Sequence, residues 1–181
     1  MIRKILIISA TGNTNMDLAK DIKEMLNKNS CKTNIVNLEN FKLPLFEASN
    51  YQIQKKSYIR DIESLTGMLI NAEGIIVCAP EYNGSIPPII TNAIAWVSVS
   101  TDYWKDGFEG KIGLVCTSSG GPANKYTMAM HNQLEHLGMK VIPKYINITS
   151  NNTELIEKSD VIVLIAPIWN FRMPAILEGW I

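Results

Sequence analysis

Short apolar runs separated by amphipathic stretches set the rhythm of this chain. Residues 4–9 (KILIIS), 74–79 (GIIVCA) and 112–117 (IGLVCT) are nearly continuous in Ile, Leu, Val and Cys. Such runs mark strands buried on both faces. Residues 34–38 (NIVNL) and 140–146 (KVIPKYI) read as two further strands. Between the runs, apolar positions recur at helical spacing. Met16, Ala19, Ile22, Met25 and Leu26 line one face of residues 15–29. Ile62, Leu65, Leu69 and Ala72 line the inner side of residues 59–71 and just beyond. Residues 86–97 and 126–137 give two more helices, the first opened by Pro87 and Pro88, since proline suits a first helical turn. Residues 41–58, which include Pro44, show no regular period and are expected to be irregular.

Strands alternating with helices predict βαβ units, a parallel sheet and an α/β sandwich with helices on both faces. Sheets of this kind bind ligands beyond the carboxyl ends of their strands, near the point where strand order reverses. Three loops follow the first, third and fourth strands and meet at that edge. The first is Ser9-Ala10-Thr11-Gly12-Asn13-Thr14-Asn15, between a strand and a helix. Hydroxyls, a glycine and free amides at a helix N-terminus form an anion site, which the helix dipole reinforces. Its lack of Lys and Arg suits a monophosphate held by neutral donors. The same residues would also serve as a plain N-cap. The second loop is Pro80-Glu81-Tyr82-Asn83-Gly84-Ser85. An aromatic ring, an amide and a permissive backbone at the mouth of a sheet suit a flat heteroaromatic ring. The third, Ser118-Ser119-Gly120-Gly121, has two glycines that allow close backbone approach, or simply an ordinary turn.

Composition narrows the classes. The chain has 181 residues, enough for one domain with a sizeable core. Lys+Arg and Asp+Glu are both 17, so neither a nucleic-acid partner nor an anionic membrane is indicated. Cys31, Cys78 and Cys116 are odd in number and form no CxxC pair. Cys78 and Cys116 fall within predicted strands and read as small core residues. The apolar run at residues 5–8 is far too short for a signal peptide or a membrane span, so a reduced, cytoplasmic protein is expected. His131 and His136 are five apart, which is not the i, i+4 spacing of a metal helix, and no metal site is assigned. No GxGxxG or Walker A sequence is present, which disfavours a dinucleotide or ATP fold.

Residues 80–98 (PEYNGSIPPIITNAIAWVS) resemble the flavin-ring loop of the NAD(P)H-dependent FMN reductases, a flavodoxin-like family with quinone, azo and chromate reductase relatives. The resemblance covers about residues 1–150. The loop S-x-T-G-N-T departs from the reductase pattern, which usually carries Arg and Ser there, and resembles the flavodoxin phosphate loop instead. The resemblance implies a five-stranded sheet of order 2-1-3-4-5 in residues 1–150, with FMN as cofactor and NADPH or NADH as electron donor. It implies that Ser9, Thr11, Gly12, Asn13, Thr14 and Asn15 hold the phosphate. Pro80, Glu81, Tyr82, Asn83, Gly84 and Ser85 would frame the ring, with Ser118, Ser119, Gly120 and Gly121 beside it. Glu81 is a rim residue or a helix-dipole partner. No catalytic side chain is assigned, because the flavin carries the chemistry. The acceptor would be a quinone, azo compound, free flavin or metal oxyanion.

Two other readings stay open: a flavodoxin-type electron carrier, and a flavin-free scaffold that keeps the fold. The near-zero net charge argues against the carrier, which would dock through an acidic face. The helix at 86–97 is apolar over much of its surface (Ile86, Ile89, Ile90, Ala93, Ile94, Trp96, Val97), more than one buried stripe needs. With the family's habit of pairing there, this implies a homodimer or homotetramer. Asp102, Tyr103 and Trp104 would shape a substrate entrance or form a turn with an aromatic anchor.

The tail holds an echo. Residues 161–181 align with 74–94 at an offset of 87, with seven of 21 positions identical, Pro80/Pro167, Asn83/Asn170 and Pro87/Pro174 among them. This predicts an extra strand–loop–helix segment in residues 151–181, after a short helix at 153–158. It would pack on the domain or on a partner subunit, since its apolar surface would otherwise be exposed.

Overall fold

The computed structural model describes residues 3–149. The expected C-terminal segment at 151–181 therefore lies outside the described residues. Strands β1 (Arg3–Ser9), β2 (Cys31–Asn37), β3 (Gly74–Cys78), β4 (Ile112–Ser118), β5 (Lys140–Val141) and β6 (Ile146–Ile148) form one parallel sheet. Its order is β2-β1-β3-β4-β5, with β6 also paired to β4. Order reverses at β1 and β3. Helices α1 (Thr14–Lys28), α2 (Tyr51–Ser57), α3 (Ile59–Asn71), α4 (Pro88–Ser98) and α5 (Asn124–His136) connect the strands.

Side chains alternate across the sheet, and the strand sequences fill both sides. Ile5 and Ile7 of β1 meet Leu18, Ala19, Ile22 and Leu26 of α1. Leu6 and Ile8 join Leu65 and Leu69 of α3, Ile90 and Val97 of α4, and Met130 and Leu134 of α5 on the opposite face. Cys78 and Cys116 stand opposite each other in the β3–β4 register and are fully buried. They are core residues, as expected, and burial pushes the Cys116 thiol up, away from the reactive thiolate.

The predicted fifth strand, residues 140–146, is divided in two. Pro143 has no N–H to give to a ladder, so pairing stops after Val141 and resumes at Ile146. Among the described residues the sheet thus has six strands where five were expected. Helix α4 begins at Pro88, two residues later than expected. A residue before proline is driven out of the helical region, and Pro87 is extended with ψ 135°. Within the stretch expected to be irregular, α2 forms, with no residue of it buried.

The loop at 99–111 joins the C-terminus of α4 to the start of β4, at the edge of the sheet opposite the three site loops. There Trp104 packs on His136 at 5.4 Å between ring centroids, with Lys105 over its ring. Asp102, Tyr103 and Trp104 therefore form a turn with an aromatic anchor, away from the three loops of their own chain. At the same edge the Lys111 ammonium donates to Leu69 O and Ile70 O at 2.8 Å and Ala72 O at 2.6 Å. These are carbonyls at and just past the C-terminus of α3, where a cation offsets the dipole. Burial draws the Lys111 pKa down. Lys111→Met should lower unfolding stability by about 2 kcal/mol, the value of charge-assisted hydrogen bonds. Urea denaturation would read it, and an unchanged midpoint would show the cap to be idle.

Candidate functional site

The carboxyl edge of the sheet is stitched beyond the strands themselves. Ala10 N–H donates to Cys78 O at 2.9 Å, and Ala79 N–H to Cys116 O at 3.1 Å. The loops after β1, β3 and β4 therefore start from a fixed line.

In the first loop, buried Ser9 donates its hydroxyl proton to Thr11 O at 2.7 Å. That bond spends its donor and bends the chain. Helix α1 follows with no side-chain cap at Asn13. The amides of Thr11, Asn13, Thr14 and Asn15 make no hydrogen bond among the described residues. Uncapped amides at a helix N-terminus are the donor set an anion needs. Gly12, Asn13 and Thr14 are exposed, so the cradle opens outward.

Asn15 has a different role. Its side chain is buried, and its amide reaches across to the end of β4. Asn15 Nδ2 donates to Ser118 O at 3.0 Å, and Ser118 N–H donates to Asn15 Oδ1 at 2.8 Å. One side chain thus joins the first loop to the third. The third loop is also tied to β6, through Ser119 N–H to Ile148 O at 3.0 Å and through Asn147 Nδ2 to Pro122 O. Gly120 and Gly121 have open space where a Cβ would stand. Thr117 Oγ1, buried at the end of β4, has no partner among the described residues.

The second loop is a tight hairpin. Tyr82 and Ser85 exchange both backbone hydrogen bonds, at 3.2 and 3.0 Å. Asn83 (φ 51°) and Gly84 (φ 69°) are both left-handed, as a type I′ turn requires, and Asn-Gly is its preferred sequence. The turn lifts Tyr82 outward, 48% exposed. Glu81 points the other way and accepts from Tyr126 N–H at 3.0 Å, near the start of α5. That helix begins from a left-handed Ala123 with no side-chain cap of its own. Glu81 supplies one from another loop, with its carboxylate at the positive end of the helix dipole. Beside it, Lys125 lies across Gly84. A Cβ built there would stand 3.1 Å from Lys125 Cδ and 3.7 Å from its Nζ. Gly84→Ala should therefore cost about 1–2 kcal/mol, from left-handed strain and the displaced lysine. Thermal or urea unfolding would show it, and wild-type stability would contradict the close fit.

The structure brings the sixteen sequence-chosen residues to one edge, though not in one role. Ser9, Glu81 and Asn15 spend their polar groups inside the protein. Gly12, Asn13, Thr14, Tyr82, Asn83, Ser85 and Gly120 form an accessible rim or cradle, with buried Thr11 at its base, and Pro80, Gly84, Ser118, Ser119 and Gly121 frame it. Three neighbours were missed. Lys125 and Tyr126 follow the third loop at the start of α5, where a helix N-terminus facing that edge was the available signal. Glu39, in the 3₁₀ turn Leu38–Asn40, accepts from Gly12 N–H at 2.6 Å. The loop after β2 ends on the same edge as the others, which was the signal for it.

A family model described as NADPH-dependent FMN reductase matches residues 3–153. Another, described as a flavodoxin-like fold, matches residues 138–181, the stretch that carries the sequence echo. Quinone reductase of Escherichia coli K12 is 34% identical over 79 residues, covering 44% of this chain and 39% of that protein. The match thus spans about two fifths of the length of the curated relative. Among solved structures, the flavoenzyme NAD(P)H:acceptor oxidoreductase FerB of Paracoccus denitrificans superposes with a TM-score of 0.71 at 18% identity, over 92% of this chain and 98% of that one. An FMN-dependent NADH-azoreductase of Bacillus anthracis, in complex with FMN, gives 0.66 at 16% identity, over 93% and 99%. At these identities the two structures speak for the fold, a flavodoxin-like one. The family model reaches further, taking in all three loops of the carboxyl edge, and the chain belongs to the NADPH-dependent FMN reductase family.

Proposed function

We propose that the protein is an FMN-dependent NAD(P)H oxidoreductase that passes electrons from NADPH or NADH to a small acceptor. The observation that carries this reading is the pairing, on one sheet edge, of an uncapped amide cradle with a hairpin that presents an exposed tyrosine. The residues present fit FMN. The free amides of Thr11, Asn13, Thr14 and Asn15, with the hydroxyls of Thr11 and Thr14, suit its phosphate. Tyr82 suits one face of the ring, and Asn83, Gly84 and Ser85 suit its polar edge. The open backbone at Gly120 and Gly121 leaves room beside it.

Bound FMN supplies the two-electron chemistry that no side chain here can provide. The chain's own part is to bind, orient and shield. Ser9 and Asn15 hold the cradle in shape. Glu81 ties the hairpin to α5, so that Tyr82 is presented from a fixed turn rather than a loose loop. Lys125 places a positive charge beside the hairpin, where the approach of a nucleotide phosphate or an anionic acceptor is favoured. Quinones, azo compounds, free flavin and metal oxyanions are the acceptor classes in this reading, and the cytoplasm is its compartment.

Pairing of two copies through α4 belongs to the same reading. Ile90, Ala93, Trp96 and Val97 are buried within the protomer, while Ile86, Ile89 and Ile94 are only partly covered. Leu45, between the Pro44 and Phe46 that are bonded to α4, is 74% exposed and adds apolar surface there. Sedimentation at a protomer mass would remove the pairing without touching the chemistry.

The test of the activity is an anaerobic visible spectrum of the FMN-loaded protein before and after adding NADPH, then NADH. Bleaching of the flavin band within seconds is the expected result, and the faster donor names the preference. A flavin that binds and stays oxidised would sink the reductase in favour of the electron carrier, which the flavodoxin-like S-x-T-G-N-T loop favours. A protein that takes up no flavin would leave the scaffold.

A further inference from the structure

The phosphate cradle already carries an anion of its own. Glu39 Oε2 stands 2.6 Å from Gly12 N, inside the loop where the amides of Thr11, Asn13, Thr14 and Asn15 make no hydrogen bond among the described residues. The side chain is held in that pose by Asn37. Glu39 N–H donates to Asn37 Oδ1 at 3.0 Å, and Asn37 Nδ2 lies 3.4 Å from the same carboxylate oxygen. A Cβ on Gly12 would come within 3.2 Å of Glu39 Oε2 and 3.3 Å of Asn37 Nδ2, so the absence of a side chain there lets the carboxylate close in. No lysine, arginine or histidine pairs with Glu39 among the described residues. Among the described residues the charge is met by the Gly12 N–H, the Asn37 side-chain amide and the N-terminal end of α1.

We propose that Glu39 is an anionic latch on the phosphate cradle, which competes with the phosphate of FMN and keeps the flavin exchangeable. The inference rests on the reading of residues 9–15 as the phosphate site. It holds for either pose of the ligand. If the phosphate takes the Gly12 amide, the carboxylate must give up a charge-assisted hydrogen bond. If the phosphate uses only the neighbouring amides, two anions share one small loop and repel. Both outcomes lower affinity for the phosphorylated flavin and leave the ring contacts alone. The latch therefore discriminates against charge at one end of the ligand and is silent toward riboflavin, which lacks the phosphate.

The substitution that isolates this effect is Glu39→Gln. A glutamine oxygen still accepts from Gly12 N–H, so the loop keeps its brace while the charge is removed. FMN and riboflavin are titrated separately into the wild-type chain, E39Q and E39A, with quenching of flavin fluorescence as the readout and no electron donor present. E39Q is expected to bind FMN about tenfold more tightly than wild type, the scale of repulsion between near-surface anions a few ångströms apart. The gap should narrow in high salt, and riboflavin affinity should stay the same in all three proteins. E39A should bind FMN at least as tightly as E39Q. Equal or weaker FMN binding by E39Q would overturn the latch and make Glu39 a brace alone. Equal tightening of FMN and riboflavin would overturn it too, since the effect would not be at the phosphate. Wild-type and variant chains that bind neither flavin would bring down the assignment of the site itself, and the latch with it.

Discussion

Replacing Asn15 with alanine is expected to lower stability by about 2–4 kcal/mol and to weaken FMN binding in the same protein. The side chain is buried and makes two hydrogen bonds to one residue, Ser118, 103 positions away. Truncation leaves Ser118 N–H and Ser118 O without partners in a part-buried place, at about 1–3 kcal/mol for each orphaned group. The functional consequence comes from the same geometry. Asn15 belongs to the first turn of α1, where the free amides are, and Ser118 opens the loop of Gly120 and Gly121. Without the bridge the amide cradle and the third loop lose their common anchor. Asn15→Asp separates the two effects. A carboxylate still accepts from Ser118 N–H but meets Ser118 O with a lone pair and puts a negative charge beside the cradle. It should retain more stability than Asn15→Ala and bind FMN more weakly. Urea unfolding and flavin fluorescence titration measure the two quantities. Wild-type values of both in Asn15→Ala would mean that the bridge contributes nothing to either.

How much of this was written in the sequence differs from element to element. Strands β1, β3 and β4 were legible because both faces are buried, so each is an unbroken apolar run. The sequence pattern predicts a strand over residues 34–38, and β2 is Cys31–Asn37. It lies at the sheet edge, where Lys32 and Asn34 face solvent and hide the period. Helix α2 buries nothing, so there was no apolar stripe to find. The division of the last strand was signalled by Pro143, and the late start of α4 by the Pro87-Pro88 pair. The hairpin at residues 82–85 was legible as chemistry, because Asn-Gly has few other uses. The links between loops were not. Asn15 with Ser118, Glu81 with Tyr126 and Gly12 with Glu39 join residues that only the folded sheet makes neighbours. Before that, Asn15 and Glu81 look like ligand contacts, and Glu39 looks like solvent-facing charge. The carboxyl edge was foreseeable from strand order, and the division of its polar residues into braces and open donors was not.

Trp96→Ala is the substitution expected to cost most in stability, about 3–5 kcal/mol. Trp96 looked like surplus apolar surface on a helix suited to pairing. In the fold it is fully buried within its own chain. Its ring lies edge-on to Phe46 at 5.4 Å, and its Nε1–H donates to Pro44 O at 2.7 Å. One turn earlier on α4, Asn92 donates to the same carbonyl at 3.0 Å and accepts from Phe46 N–H at 2.8 Å. The two side chains hold the segment around Pro44–Phe46, which has no strand or helix of its own to keep it in place. Alanine at 96 removes the indole volume and leaves Pro44 O with Asn92 alone. The segment should loosen from α4 before the sheet unfolds. Native-state hydrogen exchange would show this as faster exchange at Phe46 N–H, with the amides of β1 and β3 much less affected. Phe at position 96 keeps most of the volume and loses the donor, so Trp96→Phe should cost about 1–2 kcal/mol, the share of the hydrogen bond and the lost ring area. If Trp96→Ala and Trp96→Phe were equally mild, the indole would be packing against a segment that holds itself. The pairing surface proposed on α4 would then have to be redrawn, because it includes Leu45 only while Pro44 is fastened to Trp96.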